Sequence, residues 1–266
     1  MTIQQLLTLA RDSELHKVGY KNDDAVVLGF MNLGLIELYK RFPLQVDEAI
    51  ITIDGTRQYY KMDGTDAAVS MPTNSYYMWI ISAYAEVPDD SDVKTLQLPV
   101  NDEDTNYSVN TVNWNTLQIP IALDGEVISI IYASGPDTYM VGSSVVSGAK
   151  YVVSSLGSST LAQWQALFSG LTAIPTIGDE ITATATGSLD GGAMVYKNAT
   201  LPIPLQLTEA LLHYIGYRAH GAMNGSIEAE TNTHYQRFEA SCQRAIAQGM
   251  YTSDSLEMHR DMKGFV

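Results

Sequence analysis

Apolar residues recur at helical spacing near both ends of the chain and at strand spacing through its middle. Ile3, Leu6, Leu7 and Ala10 share one face of a helix. Thr2 ahead of them and Gln5 three residues on make a capping box, and Val18-Gly19-Tyr20 ends the period. A second helix starts at Asn22-Asp23-Asp24, where cap-forming and acidic side chains suit the positive end of a helix. It runs through Val26, Val27, Phe30, Leu33, Ile36 and Leu38 to Phe42, and Pro43 stops it. Leu28, Met31 and Leu35 make its other face apolar too, so two sides of it need cover. A neighbouring subunit is one source of that cover, which makes Leu28, Met31 and Leu35 candidates for an inter-subunit face. A large core within the chain is the other.

Between Ile50 and Ser134 the pattern becomes β. Ile50-Ile51-Thr52-Ile53, Asp54-Gly55 and Gln58-Tyr59-Tyr60-Lys61 predict a hairpin, with Asp-Gly as its turn. Short aromatic and β-branched runs follow at Trp79–Tyr84, Thr95–Leu98, Asn115–Ile119 and Val127–Tyr132. Their spacing predicts an antiparallel sandwich or barrel. Beyond Leu201-Pro202-Ile203-Pro204 the helical period returns. Leu207, Leu211, Leu212, Ile215 and Ala219 mark one inner face, ended by Gly221 and Gly225. Tyr235, Phe238, Cys242, Ala245 and Ile246 mark a last helix, ending near Gly249. The segment from Tyr251 to Val266 lacks an apolar pattern and is expected to be flexible until a partner binds it.

The fold expected is α+β: a terminal α-helical bundle with an antiparallel β-sandwich or barrel excursion and an inserted small β-rich module. Its divisions are N-terminal helices at 1–46, a β domain at 47–136, the inserted module at 137–199, C-terminal helices at 200–250 and an arm at 251–266.

Charge narrows the function. With 15 basic and 30 acidic residues the formal net charge is -15, which argues against capture of nucleic acid. It suits a wall past which DNA slides without sticking. Cys242 is the only cysteine, which excludes an intrachain disulfide and a multi-cysteine zinc site. Met1-Thr2-Ile3-Gln4-Gln5 lacks the basic start and apolar run of a signal peptide, and no stretch nears the roughly 18 apolar residues of a membrane span. A protein made in a cytoplasm and soluble until assembly is expected.

Catalytic and cofactor chemistry is not apparent. His213 and His220 lie seven apart and can share a helix face, but without H-E-x-x-H spacing they predict polar surface or interface histidines. Glu209 fits a first-turn acid. Asp89-Asp90-Ser91-Asp92 and Asp102-Glu103-Asp104 lack the EF-hand order and predict solvated turns. No serine sits in a G-x-S-x-G elbow, and Gly187–Gly192 lacks the Lys-Ser or Lys-Thr of a P-loop. Neither an enzyme nor a cofactor or metal site is expected.

Two sets of motifs carry a resemblance. The first is Gly148-Ala149-Lys150-Tyr151-Val152-Val153, Gly157-Ser158-Ser159, Gly178-Asp179-Glu180-Ile181-Thr182-Ala183-Thr184 and the glycine-rich 187–192. It resembles a small β module inserted in structural proteins of tailed bacteriophages, although the stretch from Ser158 to Ala173 departs from the commonest form. The second is Leu6–Asp12 with Ala25–Pro43, the strand ending Ile130-Ile131-Tyr132, Leu201–Pro204 with Glu209–His220, and Glu228–Ala247. In that order these parts resemble the head-to-tail adaptor (connector) proteins of short-tailed bacteriophages.

The resemblance implies a structural subunit of a ring, twelvefold in that family, in the neck of the virion. Its partners would be the portal protein, a tail nozzle or tail-tube protein, and copies of itself, with packaged DNA passing through. The arm that grips the portal would be formed by Tyr251, Leu256, Met258, Arg260, Met262, Lys263, Phe265 and Val266. Three alternatives remain open: another phage tail protein (tail tube or fibre attachment), a carbohydrate-binding sandwich using aromatics such as Tyr76, Tyr77 and Trp79, and, ranked last, a hydrolase.

Overall fold

The structure, a computed structural model, describes residues 1–73, 75–88, 93–120, 123, 127–221 and 228–250. Along the chain run α1 (Ile3–Asp12) and α2 (Asp24–Arg41), then β1 (Val46–Thr52), β2 (Tyr59–Lys61), β3 (Val69–Ser70), β4 (Tyr77–Pro88), β5 (Val93–Leu98), β6 (Asn110–Asn113), β7 (Thr116–Gln118) and β8 (Val127–Ser134). Next come β9 (Val141–Gly142), β10 (Ser144–Val145), β11 (Lys150–Ser155), α3 (Leu161–Leu167), β12 (Glu180–Thr182), β13 (Gly187–Ser188) and β14 (Met194–Lys197), followed by α4 (Thr208–Gly221) and α5 (Glu228–Ala247). This is an α+β fold with antiparallel sheets. It divides into two compact units, one holding residues 1–35 and 138–249, the other built on residues 36–137. The arm at 251–266, the acidic run at 89–92 and Gly225 lie outside the described residues.

In the first unit α1 forms as its sequence predicts. Thr2 Oγ1 accepts from the Gln5 N–H at 3.3 Å, and Gln5 Oε1 accepts from the Thr2 N–H at 3.0 Å. Ile3, Leu6, Leu7 and Ala10 are fully buried. The start of α2 is capped by Asp23, whose Oδ1 accepts from the N–H groups of Ala25 and Val26. Arg11 ties the two helices together, pairing with Asp24 and donating to the Lys21 carbonyl at 3.0 Å.

The second apolar face of α2 is not an inter-subunit surface, and this corrects the expectation for Leu28, Met31 and Leu35. All three are buried within the chain, whereas Leu33, from the opposite set, is 40% exposed. Val27 and Leu38 of that other set are buried as well, and Gly34 lies one turn from Phe30 and from Leu38. A Cβ there would lie 2.6 Å from Leu211 Cδ1 and 3.1 Å from Tyr214, so the glycine lets α2 approach α4 closely. The α4 helix follows a 3-10 turn at Leu205–Leu207 and packs on α5 through Phe238, Cys242 and Ala245. Tyr235 and Ile246, expected on the inner stripe of α5, are exposed.

The start of the chain meets residues 199–201 in this unit. Ile3 N–H donates to the Ala199 carbonyl and Leu201 N–H to the Met1 carbonyl, each at 3.0 Å, around a bridge between Thr2 and Thr200. Residues 138–199 form a β assembly with its own core of Tyr151, Val153, Trp164, Phe168 and Val195. Its main sheet has the order β12-β11-β14-β9, with β10 pairing β13 beside it. The departing stretch after Ser158 is α3, capped by Thr160 and Gln163 in a second capping box. Gly157 has φ 54°, and a Cβ there would lie 2.2 Å from the Gly191 carbonyl oxygen. Gly148 and Gly178 also have positive φ, but a Cβ at either meets nothing within 4 Å. Reciprocal amide bonds from Asn32 to the Tyr139 backbone, at 2.7 and 3.1 Å, hold the first residues of this segment to α2.

The second unit is a sandwich. A five-stranded sheet, β3-β1-β8-β4-β5, and a three-stranded sheet, β2-β7-β6, share one core that includes Ile51, Tyr60, Leu117, Ile130 and Tyr132. Central β8 is buried on both faces for most of its length, as its near-continuous apolar run requires. The expected β1–β2 hairpin does not form. Asp54 Oδ1 accepts from the N–H and hydroxyl of Thr56, which turns the chain away; β1 then pairs with β8 and β3, and β2 with β7.

Asp66 holds the path between β1 and β3. Its carboxylate takes Arg57 Nη1 at 3.1 Å and Nη2 at 2.7 Å, and the N–H groups of Lys61 and Ala68. Burial pushes the Asp66 carboxyl up, but the guanidinium and the two N–H donors outweigh it and leave the pKa below its usual value. A depressed carboxylate stabilises the fold above its unfolded pKa of about 3.9, and that gain is lost as pH falls through the lower folded value.

Asp66→Asn is therefore expected to destabilise the chain by about 1–3 kcal/mol at neutral pH, less than a fully buried pair because Arg57 is partly exposed. Urea unfolding at pH 7 and at pH 3 should show the gap between variant and wild type closing in acid; a gap independent of pH would contradict this. In the β assembly, Gly157→Ala combines a positive φ with a backbone clash, whereas Gly178→Ala meets only the φ penalty of about 1 kcal/mol. Thermal melts should show a clearly larger loss for Gly157→Ala, and equal losses would contradict the close approach to Gly191.

Candidate functional site

The segment that leaves α1 is short and tightly anchored. Leu15 N–H donates to the Ala10 carbonyl, Val18 N–H donates to the Leu15 carbonyl, and both side chains are buried. Glu14 lies between the end of α1 and this anchor, and its carboxylate meets α4 and α5. His213 stands on α4, one turn after Glu209, and His234 stands on α5.

The donor atoms of the three side chains converge, all lying within 4.8 Å of one another. Glu14 Oε2 lies 2.8 Å from His234 Nδ1, and Glu14 Oε1 lies 3.4 Å from His213 Nδ1. The side chains are only 13%, 13% and 12% exposed for Glu14, His234 and His213. Both Nδ1 atoms are buried, yet neither has a hydrogen bond of acceptable direction. The neighbouring rings hold the Glu14 carboxyl well below the usual carboxylate range, against the opposing effect of burial.

Gly216 makes the room. A Cβ at this position would lie 2.8 Å from His234 Nδ1 and 3.1 Å from Glu14 Oε2. On the far side of His213, Nε2 lies 3.5 Å from Glu209 Oε1, and Glu209 Oε2 accepts from Arg244 at 2.8 Å. His220 stacks on His234 with ring centroids 4.7 Å apart, and its Nε2 lies 3.1 Å from the Glu14 carbonyl oxygen. The cluster opens into a cleft of about 330 Å³ lined by residues including His16, Lys17, Thr233 and Arg237.

Two imidazoles and a carboxylate are a donor set for a divalent transition metal. Among the described residues this is the grouping of histidine, cysteine and acidic side chains close enough to share an ion. Of the surface or interface positions expected of His213 and His220, the surface one does not hold: both are largely buried, and His213 lies with Glu14 and His234 rather than with His220. Glu209 does lie in the first turn of α4, as expected. Asp102 is committed to a turn, its Oδ1 accepting from the Asp104 N–H at 3.0 Å. Cys242 is buried on the α5 core face.

Glu14 and His234 escaped the sequence reasoning because they stand far apart in the chain and match no spacing motif. The available signals were Glu209 four residues before His213 and a glycine three residues after it.

A second concavity lies in the sandwich unit. It measures about 820 Å³ and is bordered by Asp54, Arg57, Tyr59, Lys61 and Thr116. Arg57 lies over the Tyr60 ring at 4.5 Å, held there by Asp66. Arg57 on this face is therefore already engaged. Among the described residues no helix is long and apolar enough to cross a membrane. Comparison of the chain with known protein families matched none of them, and comparison with curated proteins matched no relative.

Proposed function

We propose that this chain is a non-enzymatic subunit of a head-to-tail adaptor, a virion ring joining a portal vertex to a tail. The observation that carries the reading is that the start of the chain and its later helices, α4 and α5, form one helical body. Bonds between residues 1–3 and 199–201, and packing of α1 and α5 against α4, make that body. The sandwich and the β assembly both leave from it and return to it in sequence, which is the order of parts that the resemblance implies.

Ring formation needs complementary surfaces on opposite sides of one subunit, closed by rotation. With Leu28, Met31 and Leu35 buried, exposed apolar residues of the helical body take over that role. Leu33 on α2 and Leu205, 80% exposed ahead of α4, are the leading ones. The net charge of -15 suits a channel wall that packaged DNA passes without binding. The arm at 251–266 is the proposed grip on the portal, and the tail nozzle or tail tube the partner on the other side.

Electron microscopy of the particle that carries this chain tests the reading: a closed ring beneath the portal is expected. Density along the tail tube or at a fibre base would overturn it in favour of another tail part. Leu33→Glu should leave the free chain's stability within about 0.5 kcal/mol of wild type, as for surface substitutions generally, while abolishing ring assembly on the portal. Rings that assemble normally with Leu33→Glu would remove this residue from the interface.

A further inference from the structure

We propose that Glu14, His213 and His234 form a binding site for a divalent transition-metal ion, with Zn²⁺ the best match to the donors. This site is independent of the adaptor reading and goes beyond it.

Three separate features of the geometry point to a cation. First, the Nδ1 atoms of His213 and His234 are both buried, both lack a well-directed hydrogen bond, and both face the same carboxylate. Buried polar atoms without partners are costly, and an ion between them satisfies both at once. The donor atoms of all three side chains lie within 4.8 Å of one another, close enough to converge on one centre. Second, the other nitrogen of His213 faces Glu209 Oε1 at 3.5 Å. A carboxylate behind the ligating imidazole fixes its tautomer and raises its basicity, an arrangement that accompanies most metal-binding histidines. Arg244 in turn holds Glu209 at 2.8 Å. Third, Gly216 lets Glu14 Oε2 and His234 Nδ1 come up against the α4 backbone, where any side chain would clash with them and push the donors apart.

The donor set selects the metal. Two imidazole nitrogens and one carboxylate oxygen suit zinc and its neighbours, whereas calcium and magnesium prefer all-oxygen shells. The cleft at His234 and Glu14 leaves a path for water to supply a fourth ligand. The three ligands come from the segment after α1, from α4 and from α5, so a bound ion would tie the N-terminal segment to the C-terminal helix pair. That is a structural role. Removal of the metal should therefore loosen the helical body.

The full-length chain, stripped with a chelator, would be titrated with Zn²⁺ by calorimetry. One ion per chain is expected, together with a rise in thermal midpoint that excess chelator reverses. His213→Gln and His234→Gln should abolish this binding. Glu209→Gln, which touches only the back of His213, should weaken it by about 10–100-fold. Asp104→Asn, in the acidic turn, should leave it unchanged.

X-ray absorption on the zinc-loaded wild type provides a readout that does not depend on how the variants fold, and should report two imidazoles in the first shell. The proposal is overturned by no saturable Zn²⁺ binding to the wild type. Binding that survives both histidine variants, or a first shell without two imidazoles, overturns it equally.

Discussion

Everything in the first unit depends on the N-terminal segment being held between residues 199–201 and the face of α4. The two backbone bonds involved, at 3.0 Å each, contribute only about 1 kcal/mol apiece. Apolar burial does more. Ile3, Leu6, Leu7 and Ala10 are all fully buried, and each large side chain among them is worth about 1.5–3 kcal/mol on removal from water. The entropy of closing so long a loop rises only with the logarithm of its length, so an excursion containing an entire sandwich is tolerable. Because the chain returns to its own start, the sandwich and the β assembly can each keep a separate core without breaking the helical body.

That closure also explains where the polar cluster sits. Once α1 is docked, the chain must turn immediately, and the burial of Leu15 and Val18 leaves Glu14 facing α4 and α5. A carboxylate brought there lies against the two histidines, and Gly216 leaves it the room to do so. Both close approaches to α4 are made at glycines: Gly34 where α2 packs on it, and Gly216 where the cluster packs. Space at these two positions, rather than additional apolar side chains, sets how near the surrounding elements can come.

Local rules were legible in the sequence and long-range choices were not. The capping box of Thr2 and Gln5, the cap at Asp23 and the apolar face of α1 follow from residues within one turn, and all appear in the structure. The period of α2 was equally clear, but not that residues of both its apolar faces, Leu28, Met31 and Leu35 with Val27 and Leu38, are buried within the chain. Nor was the close approach of Gly34 to Leu211, far along the chain. The Asp54-Gly55 turn was visible too, with Gly55 at φ 65°. Its partner strand was not, because Thr56 and Asp66 redirect the chain to another sheet. The cluster was the least legible feature. His213 suggested His220 as a helix-face neighbour, whereas the structure pairs it with two residues on other elements.

Native-state hydrogen exchange of individual amides tests the docking of the N-terminal segment on residues 199–201 most directly. If the N-terminal segment is an integral part of the helical body, the amides of Ile3 and Leu201 will be protected nearly as strongly as those of Leu211 and Ile215 in α4. Exchange of Ile3 and Leu201 at the rate of a frayed terminus, with α4 still protected, would contradict it.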